Sequence, residues 1–172
     1  SVRAFAKAYN DKYDKLDLLI NNAGIMIPPF SKTEDGFESQ MGVNYFGHFL
    51  LTNLLFPLLN KTADSRVVTL SSIAHRNGKI QFDNLNAEQK YSKMGAYGQS
   101  KLACLMFAYE LQRRIDASGS KVLSLAAHPG VSNTNLGQHM SKWLVAIAMP
   151  LFSFFIHSPE KAALPSLYAA LG

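Results

Sequence analysis

Arg66-Val67-Val68-Thr69-Leu70-Ser71-Ser72 is the stretch that decides the fold. Its core, Val67 to Leu70, is too short for a helix and continuous enough for a strand covered on both faces. Two stretches of the same kind lie far from it on either side, Leu16 to Asn21 and Val122-Leu123-Ser124-Leu125-Ala126-Ala127. Between them run segments of helical spacing. Gly36 to Asn60 is nearly uncharged after Glu38, and its Met41, Phe46, Phe49, Leu50 and Leu54 suit a helix that is buried or paired with another chain, with Pro57 bending or closing it. Gly95 to Ser118 is a second helix, packed down through Leu102, Leu105, Met106, Tyr109 and Leu111 and broken at Gly119. Strands this far apart require crossovers, and short parallel strands alternating with helices predict an α/β fold with a three-layer parallel sheet.

Composition narrows the functional classes. With 48% hydrophobic and 17% charged residues over 172 positions, the chain reads as one globular domain. A net charge of +5 raises the question of nucleic acid, but the basic residues are scattered singly or in pairs such as Arg113-Arg114. No basic stripe with interleaved aromatics is present, so a solvated surface is the expectation and no nucleic-acid partner is expected. Cys104, the only cysteine, cannot form an internal disulfide. That is compatible with a reducing compartment, and a cytoplasmic location is the expectation. Its place after Lys101 favours a small buried residue. The histidines at 48, 75, 128, 139 and 157 show no metal-ligand spacing, so no metal site is expected. A serine hydrolase is disfavoured because Ser71 and Ser72 lack the Gly-x-Ser-x-Gly elbow.

The chemistry points instead to Tyr97-Gly98-Gln99-Ser100-Lys101. Residues four apart share a helix face at about 5–6 Å, so the Lys101 charge can act on the Tyr97 oxygen. An ordinary tyrosine has a pKa near about 10, and a neighbouring cation favours its phenolate. Such a pair suits proton exchange with an alcohol or a carbonyl. Asn22 and Gly24 follow the first strand, where parallel sheets collect ligands, although both are also ordinary turn residues. Asn44 in a nearly uncharged helix reads either as a functional group or as a satisfied buried amide.

Taken in order, Leu16-Asp17-Leu18-Leu19-Ile20-Asn21-Asn22-Ala23-Gly24, Val43-Asn44-Tyr45-Phe46-Gly47, Arg66 to Ser72, Tyr97 to Lys101 and Pro129-Gly130-Val131-Ser132-Asn133-Thr134 resemble the ordered motifs of the short-chain dehydrogenase/reductase family. Ala74-His75-Arg76-Asn77-Gly78-Lys79-Ile80 and the long gap to Tyr97 look most like its retinol-dehydrogenase-like branch. The resemblance implies a Rossmann-like sheet and hydride transfer between NAD or NADP and an alcohol or carbonyl carbon. It implies that Tyr97 exchanges the proton and that Ser72, in preference to Ser71, holds the substrate oxygen. Lys101 would depress the tyrosine pKa and hold the nicotinamide ribose, while Asn44 supports a water leading to solvent. Cofactor contacts would come from Asn22, Ala23, Gly24, Tyr97, Lys101, Pro129, Gly130, Val131 and Thr134, with His128 near that last loop.

The Gly-rich turn that opens a dinucleotide fold, and the acidic residue about 20 positions beyond it, do not occur before Leu16. Ser1 to Tyr9 reads as the tail of a helix, so a partial domain incomplete at both ends is expected, with one βαβ unit of about 30 residues or more outside it. Toward the other end Ser158-Pro159 signals a helix start, running to Gly172. Residues 135–158 fall where the family places its substrate lid. The apolar run Trp143 to Ile156, interrupted by Pro150, is short of the roughly 20 residues a bilayer span needs. It reads as the wall of a pocket for a small apolar alcohol or carbonyl compound, as a peripheral membrane contact, or as core. Excess apolar surface on the two long helices predicts a homo-oligomer paired through them. A non-catalytic or partner-completed fragment of such an enzyme is the alternative reading.

Overall fold

The computed structural model describes residues 1–128, 131–132, 156–157 and 159–172. Helix α1 (Val2–Lys12) is followed by β1 (Leu18–Asn21), β2 (Arg66–Leu70) and β3 (Leu123–Ala127), which form a parallel sheet in the order β1-β2-β3. The register pairs Leu19 with Val67 and Val68 with Leu125. This is the α/β sheet expected from the spacing of the apolar runs, and the central strand explains its own sequence. Val67 and Val68 point to opposite faces and both are fully buried, each worth about 1.5–3 kcal/mol in removal from water. The flanking strands are less covered, with Ile20 and Leu123 each about two-fifths exposed.

Two cores lie on the two faces of the sheet. On one, Ala6 of α1, Leu55 and Leu59 of α3 (Gly47–Lys61) and Ile115 of α4 (Lys93–Ser118) close over Leu19, Val67 and Val122. On the other, Val68, Leu70 and Ala127 meet Ala170 of α5 (Pro159–Leu171). The Arg66 guanidinium also donates to the Ala169 carbonyl at 3.2 Å, fastening α5 to the central strand. Helix α5 begins at Pro159 as expected; Ser158, its proposed cap, lies outside the described residues.

The first long helix departs from expectation in two ways. It begins as a short turn α2 (Ser39–Met41), capped by the Glu38 carboxylate accepting from the Gln40 and Met41 amides, and passes through a π-helical turn, Gly42–Phe46, before α3. It also continues past Pro57 to Lys61 rather than closing there. The amide that proline lacks would have served the Asn53 carbonyl. Both residues are exposed, which leaves that carbonyl open to solvent, while buried Leu58 and Leu59 keep the last turn docked.

Helix α4 starts at Lys93, capped by the Ser92 hydroxyl accepting from the Gly95 amide, and ends at Gly119, whose φ of 71° only glycine adopts freely. Its buried stripe is Cys104, Phe107, Ala108 and Ile115, with Leu111 partly covered. Met106 and Tyr109, expected to pack it down, are exposed because the helical period turns them away from that stripe. A pair of two-residue strands, β4 (Val131–Ser132) and β5 (Ile156–His157), runs parallel outside the main sheet. Among the described residues no helix is long and apolar enough to cross a membrane.

Candidate active site

Three elements converge beyond the carboxyl ends of β1 and β2: the turn after Asn21, the π-helical turn, and the first half of α4. Asn44 ties them together. It is fully buried, and its side-chain oxygen accepts from the Ile25 amide at 2.8 Å while its amide nitrogen donates to the Ile25 carbonyl at 3.0 Å and to Ser100 Oγ at 2.9 Å. Its own carbonyl accepts from His48 Nδ1 at 2.8 Å and from the Cys104 thiol at 3.1 Å. A carbonyl has no proton to give, so His48 carries its proton on Nδ1. Burial holds the His48 pKa below the ordinary histidine value, against the pull of its bond to Asn44 and with a smaller contribution from Lys101. Burial likewise pushes the Cys104 thiol up to about 11, against the opposing pull of Lys101.

Sequence proximity left Ser71 and Ser72 in competition, and the structure separates them. Ser71 is buried and its hydroxyl donates to the Lys101 carbonyl at 2.8 Å. Ser72 is half-buried at the start of a 3-10 turn, Ile73–Asn77, where its hydroxyl accepts from the Ala74 amide at 3.3 Å and its side chain acts to lower the Tyr97 pKa. Tyr97 is buried, 7% exposed, one turn of α4 from Lys101.

The ammonium of Lys101 donates to the Leu70 carbonyl at 3.0 Å and sits 5.9 Å from the Tyr97 ring centroid. Burial lowers the pKa of Lys101, with the nearby Cys104 acting the other way. Tyr97 itself is pushed above the ordinary tyrosine value by burial; the Ser72 hydrogen bond pulls it back and Cys104 adds to the rise. The expected depression by Lys101 is therefore corrected. Desolvation outweighs the helical neighbour, whose charge is turned toward the end of β2.

Asn22 and Ala23 are exposed at the carboxyl end of β1, and a Cβ on Gly24 would stand 3.3 Å from Asn44 Oδ1 and 3.7 Å from Lys101 Nζ. His128 lies beyond β3 with its surface largely open; partial burial, then His75, then Lys101 lower its pKa. Pro129, Gly130 and Thr134 lie outside the described residues, as does 135–158 apart from Ile156 and His157; for Val131 only the backbone of β4 is described.

Several supporting residues were not singled out from the sequence. Gln40 is fully buried, accepts from the Ile27 amide at 3.0 Å and donates to the Tyr91 hydroxyl and the Lys93 carbonyl. Gln99 accepts from the Gln81 amide at 2.8 Å. Both pin loops to the α-helical frame, and an uncharged amide inside an otherwise apolar or motif-bearing helix is the signal that would have marked them. Among the described residues no group of histidine, cysteine or carboxylate side chains could hold a metal ion.

The profile of the short chain dehydrogenase family matches residues 1–145. Human retinol dehydrogenase 13 is 48% identical over 176 residues, covering 99% of this chain and 53% of its own length. Mouse retinol dehydrogenase 14 is 47% identical, with 99% and 51% covered. The chain thus spans about half the length of the curated relatives it matches. Among solved structures, an uncharacterized protein from Mycobacterium paratuberculosis is 43% identical with a TM-score of 0.70, over 99% of this chain and 68% of that one. An NADP active-site complex from Pseudomonas aeruginosa, 23% identical with a TM-score of 0.69 over 98% of this chain and 64% of that one, shares the fold. The family match and the retinol dehydrogenase relatives agree with the motif order, and the chain belongs to the short-chain dehydrogenase family, on its retinol-dehydrogenase-like branch.

Proposed function

We propose that the protein carrying this chain is an oxidoreductase that interconverts a small apolar alcohol and its carbonyl compound with NAD or NADP. The observation that carries the reading is the gathering, beyond the carboxyl end of β2, of buried Tyr97, of Ser72, which draws its pKa down, and of the Lys101 ammonium 5.9 Å from its ring. The residues fit a nicotinamide cofactor, because bare Gly24 leaves the approach to Lys101 Nζ unfilled and Asn22 and Ala23 are open to solvent at the end of β1. In this reading those three residues hold it together with Tyr97, Lys101, Pro129, Gly130, Val131 and Thr134. When bound, the nicotinamide supplies or accepts the hydride.

The chain's own residues handle the proton and the substrate oxygen. Ser72 orients the oxygen, and Tyr97 donates a proton to a carbonyl or takes one from a hydroxyl. A phenol held above its ordinary pKa keeps its proton near neutrality, which supports the reductive direction. Lys101 contributes positive charge beside the phenol, and Asn44 fixes the turn behind both. Asn44 is also assigned the support of a water leading from Lys101 to solvent.

The retinol dehydrogenase relatives and the apolar run within 135–158, assigned as lid, support a retinoid-like or similar apolar substrate. The protein is assigned to the cytoplasm, with peripheral membrane contact through that run as a finer expectation. Exposed Phe49 on α3 and Met106 and Tyr109 on α4 support a homo-oligomer paired through these helices. The test is turnover by the full-length protein with retinoid, aliphatic and aromatic aldehydes and alcohols, using each cofactor and following the nicotinamide absorbance. Aldehyde reduction is expected. A folded full-length protein that binds a nicotinamide cofactor yet turns over none of these substrates would overturn the reading.

A further inference from the structure

We propose that Gly78 is a positioning residue: its backbone rests directly on that of Gly98, and this contact sets the separation of Ser72 from Tyr97. The inference rests on the roles of Ser72 and Tyr97 proposed above.

The conformation of Gly78 does not call for glycine, since φ of −73° and ψ of 146° suit any residue. Its surroundings do. A Cβ there would lie 2.4 Å from the Gly98 oxygen, 2.7 Å from the Gly98 carbonyl carbon and 3.1 Å from the His75 oxygen. All three are backbone atoms, so no side chain can swing away to relieve the overlap. The contact is mutual, because a Cβ on Gly98 would stand 3.0 Å from the Ala74 oxygen and 3.3 Å from Gly78 Cα. Gly98 lies inside α4, where glycine is among the poorest residues, and close backbone approach gives the reason for it.

The contact bears on proton transfer because of what lies at each end. Gly98 directly follows Tyr97. Gly78 closes the turn that Ser72 opens, and that turn is stiff: the Ser72 carbonyl accepts from the His75 amide at 2.9 Å and from His75 Nδ1 at 2.6 Å, and the His75 carbonyl accepts from the Gly78 amide at 3.0 Å. On the far side Gln99 accepts from the Gln81 amide, holding the loop against the same stretch of helix. A turn bonded this way transmits a displacement of Gly78 to Ser72. Carbon atoms pack at about 3.5–4.0 Å, so an added Cβ forces a shift of roughly 1 Å. A misplacement of that size costs on the order of 10²-fold in a positioned reaction.

The test is a double-mutant cycle in the full-length protein with Gly78→Ala, Ser72→Ala and both together. Gly78→Ala is expected to lower kcat by ~10–100-fold while the cofactor KM stays within about twofold. The pH at which the reductive rate falls is expected to rise, because Ser72 is what draws the Tyr97 pKa down; Cys104 and Lys101, the other ionisable groups beside the phenol, are unchanged. With Ser72 already replaced, Gly78→Ala should cost less than about threefold more. Equal losses with and without Ser72, or an unchanged kcat in Gly78→Ala, would overturn the proposal. If Gly78→Ala does not fold, Gly98→Ala, with its longer contacts, runs the same cycle: a loss that vanishes without Ser72 supports the proposal and one that persists refutes it. A folded wild type without turnover would sink the functional reading, and this inference with it.

Discussion

Asn44 and Tyr97 are both buried polar residues a few ångströms from Lys101, and they are treated in opposite ways. Asn44 is fully buried with its amide and carbonyl bonded to Ile25, Ser100, His48 and Cys104. Tyr97 keeps its hydroxyl in an environment that resists ionisation, through burial first, with Ser72 opposing and Cys104 adding to it. A group bonded from several sides in a low-dielectric interior fixes geometry, and a phenol whose ionisation is tuned by its surroundings serves chemistry. The difference assigns rigidity to the π-helical turn and chemistry to the start of α4.

Tyr97→Phe should break the comparison on the reactive side and carry the largest effect. In the full-length protein kcat is expected to fall by ~10²–10⁴-fold, the range of a positioned proton-transfer group. The thermal midpoint and cofactor affinity should hardly move, because the substitution removes one oxygen and keeps the buried ring. Near-normal turnover would remove Tyr97 from proton transfer.

Asn44→Ala addresses the saturated side, and there the expected loss is first of stability. It leaves the partly buried Ile25 amide and carbonyl without their side-chain partner, a loss of up to about 1–3 kcal/mol each. Denaturant titration should show a clearly lower midpoint, with turnover falling alongside it. A variant as stable as the wild type but inactive would make Asn44 reactive rather than structural and erase the distinction.

Cys104→Ala sharpens the comparison with the smallest effect. Burial raises the thiol from 9.0 to about 11, with Lys101 pulling the other way. Between those values the unfolded chain gives up a proton that the folded chain keeps, so this group makes stability fall as pH rises through the window. The variant lacks that contribution. Its unfolding free energy, from denaturant titrations at pH 9 and 11, should decline less than that of the wild type; an equal or steeper decline would contradict the assignment.

Much of this architecture was legible along the chain. Val67 to Leu70 announced a covered strand because burial on both faces demands continuous apolar residues, and the matching runs at Leu16 and Val122 fell into register beside it. The Tyr97 and Lys101 spacing fixed a shared helix face because four residues close to a full turn is a property of the backbone itself. Pro57 did not close its helix, since the Asn53 carbonyl it leaves unbonded lies at an exposed position, and exposure is not written locally. Met106 and Tyr109 were placed inward for the same reason: an apolar residue on a long helix does not state which flank its neighbours cover.

The sequence by itself determined the parallel α/β order and the ordered set Asn22, Asn44, Ser72, Tyr97 and Lys101, because periodicity and motif order are local properties of a chain. Only the tertiary structure decided that Ser71 turns inward to the Lys101 carbonyl while Ser72 meets Tyr97, and that burial, rather than the lysine four residues on, governs the phenol. It alone set bare Gly78 against bare Gly98. The physical reason is common to all three. Desolvation and steric contact depend on atoms brought together from distant parts of the chain, and their magnitudes exist only once the elements have packed.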